Sequence, residues 1–104
     1  MLNWKSLKKR INNRIQITRK IFYEVLYIED FRGGETLGEM RPDTKQIVIK
    51  SGQSPKNTVV TYIHELLHAI SEEYEVQLTE TQILKLERAI YYILKENNVF
   101  KDKE

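Results

Sequence analysis

Apolar side chains along the chain recur first at helical spacing, then at every second residue, then at helical spacing again. Leu2, Trp4, Leu7 and Ile11 are spaced for a short amphipathic helix over residues 2–13, with basic residues between them. From Arg14 the period falls to two: Ile15, Ile17, Ile21, Tyr23, Val25 and Tyr27 share one parity. This β-branched and aromatic run predicts one long strand, best formed over 19–29. Gly33-Gly34 and Gly38 mark a turn, with Gly33-Gly34 read as a hairpin tip and a short strand expected around 36–41. Pro42-Asp43 turns the chain again. A compact strand over 45–50 follows, with Ile47 and Ile49 on one face.

Ser51-Gly52-Gln53 breaks that strand, and Ser54-Pro55 is a strong helix start, because the hydroxyl caps free amides and proline fits the first helical position. Val59, Ile63, Leu66, Leu67, Ile70 and Tyr74 then form an apolar stripe for a helix over about 55–74. Thr79 with Gln82 three residues later has the form of a capping box. Ile83, Leu86, Ile90, Ile93 and Leu94 carry a last helix over about 80–97, ended near Asn97-Asn98. The order predicts an α+β fold: an N-terminal helix, a small three-stranded, mostly antiparallel sheet, and two helices covering one sheet face.

Composition fits a single domain over residues 1–104, with 40% hydrophobic and 31% charged residues and only 4 Gly and 2 Pro. No apolar run approaches the roughly 18 residues of a membrane helix. The first 20 residues lack the apolar core of a signal peptide, so a cytoplasmic location without membrane association is expected. The absence of Cys excludes disulfides, thiolate zinc sites and cysteine nucleophiles. The net charge of +2 hides an asymmetry: residues 1–56 carry 12 basic against 6 acidic side chains, and residues 57–104 carry 5 against 9. Seven of the basic residues lie in the first 20 (Lys5, Lys8, Lys9, Arg10, Arg14, Arg19 and Lys20). Such a segment can touch nucleic acid, although a solvated helix face is its more frequent role.

Both histidines fall in one pentapeptide, His64-Glu65-Leu66-Leu67-His68, inside the fifth expected element. Four residues apart on a helix, they lie about 40° from one another and one turn apart, so two imidazoles can converge on one ion. Glu65 lies further round the helix, close to that ion without binding it. There it can take a proton from a metal-activated water and pass it to a departing amine. A catalytic zinc site needs a third protein ligand. With no Cys and no further His, that ligand is a carboxylate. Glu72, Glu73 and Glu75 read as a solvated helix end. Glu80 and Glu87, seven apart, share a face of the last helix. A tight antiparallel hairpin would bring Glu87 level with the histidines, and a splayed crossing would bring Glu80 to the ion. Spacing alone leaves the two open.

The chain resembles the zincin metallopeptidases, and more closely the small phage and prophage zincin-like proteins related to the ImmA/IrrE metallopeptidase family. The resemblance spans roughly residues 35–98. It includes Leu37-Gly38-Glu39, Lys45-Gln46-Ile47-Val48-Ile49, His64-Glu65-Leu66-Leu67-His68-Ala69-Ile70, Leu78-Thr79-Glu80, Leu86 and Leu94-Lys95-Glu96-Asn97. It implies one zinc ion held by His64, His68 and Glu80, the Glu that opens the helix after the motif helix. Glu87 stands where the family tends to have a small residue. The resemblance further implies Glu65 as the acid–base residue of a zinc-dependent peptidase acting on a protein or peptide. It also implies that the strand at 45–50 borders the cleft and pairs with an extended substrate. Accessory domains of larger members have no counterpart. No His or Tyr can be assigned to an oxyanion, although Tyr62, Tyr91 and Tyr92 are available. The contrasting reading is a non-catalytic zincin-like module whose basic N-terminal segment binds a protein or DNA partner. Oligomeric state is not legible in the sequence.

Overall fold

In a computed structural model, residues 13–99 are described. The expected helix over 2–13, and with it most of the basic N-terminal segment, lies outside them. The strands are β1 (Arg14–Gln16), β2 (Phe22–Ile28), β3 (Gly38–Arg41) and β4 (Gln46–Lys50), and the helices are α1 (Pro55–Glu73) and α2 (Glu80–Glu96). The fold is α+β, as the periodicity predicts, but the sheet has four strands, in the order β1-β2-β4-β3. β1 with β2 and β3 with β4 are antiparallel, while β2 and β4 are parallel.

The extra strand comes from a break in the period-two run that starts at Arg14 and reads as one long strand, best formed over 19–29: β1 lies before that span and β2 within it. Thr18 Oγ1 accepts hydrogen bonds from the amides of Lys20 (3.2 Å) and Ile21 (3.1 Å). The Ile17 amide donates to the Ile21 carbonyl at 2.8 Å, which closes a hairpin. Because Ile15 opposes Tyr23, the two arms keep one parity and present the same face. The alternation therefore runs through the turn without a break.

Gly33-Gly34 is not a hairpin tip. Phe31–Gly34 forms a short 3₁₀ segment on the crossing from β2 to β3, which are separated by β4. Arg32 holds a left-handed backbone (φ 49°), and its Nε donates to Glu39 Oε1 at 2.8 Å, tying the crossing to β3. Phe31 is buried, and its segment packs against β4.

β4 is the central strand: Ile47, Val48 and Ile49 are all fully buried. Tyr23, Val25, Ile47 and Ile49 meet Tyr62 and Ala69 of α1 across one sheet face. α1 starts as its sequence predicts, with Ser54 accepting from the Asn57 amide at 3.2 Å and Pro55 in the first turn. Its far end is tied to the hairpin, where Tyr23 Oη donates to Glu73 (2.7 Å) and Tyr74 Oη to the Ile17 carbonyl (2.6 Å). α2 carries a complete capping box, with Thr79 and Gln82 bonding each other's amides. It packs back on α1 through Ile83, Ile90 and Leu94 against Val59, Ile63 and Leu67. No helix among the described residues is long and apolar enough to cross a membrane.

Candidate metal centre

His64 and His68 lie one turn apart on α1, with ring centroids 5.0 Å apart and planes inclined at 61°. Glu80, the first residue of α2, reaches across to both: its Oε1 is 3.1 Å from His64 Nε2 and its Oε2 is 3.4 Å from His68 Nε2. One ligand atom from each of the three lies within 4.8 Å of the others. Donors bound at about 2.0–2.1 Å around a tetrahedral zinc stand roughly 3.3 Å from one another. The two contacts, made by different oxygens of Glu80, lie near that separation, and the donor set is one that could hold a zinc ion.

Glu87 occupies the other nitrogen of the same ring. Its Oε1 is 2.5 Å from His64 Nδ1, and its side chain is only 10% exposed, against 60% for Glu80. The hairpin and the reach of Glu80 are thus compatible rather than alternatives: both carboxylates meet His64, from opposite sides. If the ring carries a single proton and it lies on Nδ1, facing Glu87, the lone pair of Nε2 faces Glu80. Two acceptors then face each other at 3.1 Å, an arrangement that needs a proton or a cation between them. Burial lowers the pKa of His68 most, charge on the neighbouring His64 adds to the fall, and Glu80 opposes it.

Glu65 is 7% exposed. Burial pushes its carboxyl up to about 7, the carboxylates of Glu80, Glu39 and Glu87 add to the rise, and His64 opposes it. It lines a cavity of about 280 Å³ with Leu37, Gly38, Val60, Thr61, His64 and Glu87. That size is just below the usual range for ligand pockets, enough for one side chain. Gly38 makes the close approach of β3 and α1 feasible. A Cβ there would come within 2.6 Å of Thr61 Cγ2 and 3.2 Å of Glu65 Cγ. Gln53 clamps the same corner, accepting from Thr61 Oγ1 (3.2 Å) and donating to the Lys50 carbonyl (2.8 Å).

The strand beside this cavity is β3, not the one expected. The strand at 45–50 is paired on both sides and has no edge to offer a peptide. In β3, the Lys50 amide donates to the Leu37 carbonyl at 2.9 Å, which fixes the ladder so that the backbone groups of Gly38 and Met40 point away from β4. Glu72 and Glu75 are exposed, at a second cavity on the His68 side, and Glu73 is engaged by Lys45 and Tyr23.

Family models, curated proteins and solved structures give no match to this chain. The site is therefore read from its own geometry.

The contact sequence reasoning missed is Glu87–His64. A signal for it existed. Glu87 falls in the stripe Ile83, Glu87, Ile90, Leu94, at spacings of four, three and four, and a carboxylate on a buried helix face requires a partner.

Proposed function

We propose that the protein is a zinc-dependent metallopeptidase of zincin type, with His64, His68 and Glu80 holding one zinc ion and Glu65 serving as the acid–base residue. The observation that carries this reading is the meeting of two imidazole Nε2 atoms and one carboxylate beside a buried, otherwise unpaired Glu65.

When bound, the zinc supplies Lewis acidity and lowers the pKa of a coordinated water toward about 7. Glu65, raised to about 7 by burial, is matched to accepting a proton near neutral pH and returning it to the leaving amine. Glu65 lies in the cavity wall, so a group that occupied the cavity would meet it there. The free edge of β3 offers the backbone of Gly38 and Met40 to an extended peptide, and the cavity beside His64 offers room for one of its side chains.

A peptide-cleavage assay with zinc-loaded wild type and Glu65→Gln tests the reading. Cleavage by wild type and its loss in the variant, with zinc still bound, is the expected result. Equal activity in both, or none in either, contradicts it.

A further inference from the structure

Two carboxylates address one imidazole, and they differ in kind. Glu80 is exposed at the start of α2 and touches both histidines through Nε2. Glu87 is buried one face-turn along and touches His64 alone, through Nδ1. Its neighbours on α2 toward the core are Ile83 and Ile90, so it sits at the boundary between the apolar helix interface and the cavity that Glu65 lines. A buried carboxylate needs a hydrogen-bond partner, and the atom beside this one is His64 Nδ1, 2.5 Å away. The contacts of His68 run through Nε2.

We propose that Glu87 is a positioning residue: by accepting the Nδ1 proton of His64 it fixes that ring's tautomer and aim, presenting Nε2 to the metal. Glu87 is then not a ligand in reserve for Glu80. It acts through His64, whereas among the described residues the carboxylate that meets His68 is Glu80, at Nε2. A histidine whose second nitrogen is held by a carboxylate is also the more basic ligand, so zinc affinity depends on a residue that does not touch the ion. The proposal rests on the metal reading of His64, His68 and Glu80.

The experiment compares wild type, Glu87→Gln and Glu87→Leu, with Glu80→Gln as the loss-of-ligand reference. Leucine suits the apolar stripe and removes the acceptor, whereas glutamine keeps an oxygen acceptor without the charge. Zinc affinity is measured by competition with a chromophoric chelator, and the tautomer of His64 by ¹⁵N NMR of the metal-free protein. Thermal unfolding in chelator checks that each variant folds. The expected results are an affinity loss of about 10–100-fold in Glu87→Leu and a smaller loss in Glu87→Gln. His64 should be protonated at Nδ1 in wild type and shift toward Nε2 protonation in Glu87→Leu, with His68 unchanged. Unchanged affinity and unchanged tautomer overturn the proposal while leaving the metal site standing. Loss of zinc as complete as in Glu80→Gln also overturns it, since Glu87 would then be a ligand. A wild type that binds no zinc removes the metal reading itself, whatever the tautomer.

Discussion

At the His64 end of the cleft the walls are Leu37, Gly38, Val60 and Thr61, and Glu65 and Glu87 are both more than nine-tenths buried. At the His68 end the cavity is lined by Met40, Ser71, Glu72, Glu75, Val76 and Gln77, the last four exposed. The first end has a strand pressed onto a helix with no room for a Cβ, a glutamine clamp and a carboxylate behind its histidine. The second end is closed by the loop between the helices, where Ser71 bonds the Val76 carbonyl and accepts from the Leu78 amide. The contrast is between a tightly packed His64 end and a His68 end lined mostly by exposed side chains.

The largest expected effect lies at the buried end. Glu65→Gln should lower peptide cleavage by about 10²–10⁴-fold while zinc content is kept, measured on zinc-loaded protein. Substitution of Glu72 or Glu75 by Gln at the open end should leave the rate within a factor of a few. Similar losses at both ends would erase the contrast.

Zinc removal comes next. Stripping with a chelator should lower the unfolding midpoint, because an ion held by His64, His68 and Glu80 would join α1 to α2. Restoring zinc at about 100 times its Kd should return roughly 2.7 kcal/mol of stability by mass action. A midpoint indifferent to zinc would mean that the two helices are not linked through it.

Gly38→Ala should cost about 1–3 kcal/mol by overpacking β3 against Thr61 and Glu65. Gln77→Ala, at the open end, should fall within about 0.5 kcal/mol of wild type. Chemical denaturation of both variants measures the difference, and equal costs would show that the tight approach at Gly38 is not what holds the first end.

The smallest effect concerns the far end of α1. Hydrogen bonds from Lys45 and from the Tyr23 hydroxyl, with the Lys45 charge, hold the Glu73 carboxyl below its ordinary range. A carboxylate with a depressed folded pKa adds stability that is present above its unfolded value and is lost as pH falls through the folded one. Wild type should therefore be more stable than Glu73→Gln at neutral pH, with the gap closing in acid. A gap that widened in acid would contradict this pairing.

The helices were legible in the sequence because their signals are local. Ser54-Pro55 and the Thr79–Gln82 pair mark starts that the structure reproduces, and α1 and α2 end within one residue of expectation. The sheet was less legible for two physical reasons. The Ile17–Ile21 turn preserves parity, so a period of two cannot distinguish one strand from a hairpin. Strand order is set by pairing between distant segments, on which alternation is silent. Yet the uninterrupted Ile47-Val48-Ile49 run carries the mark of a strand buried on both faces, and it pointed to the centre of the sheet rather than its edge. At the candidate centre, the spacing of His64 and His68 fixed their shared face. The place of Glu87 on the apolar stripe of α2 was a local sign of its buried partner, but the reach of Glu80 to both rings depends on how two helices cross, on which local pattern is silent.

Metal analysis of the purified, dialysed protein tests the central claim most directly, with His64→Ala and His68→Ala prepared in parallel. The account predicts about one zinc ion per wild-type chain and loss of that zinc in either variant. Less than about one zinc per two wild-type chains, or zinc retained at the wild-type level by both variants, would contradict it.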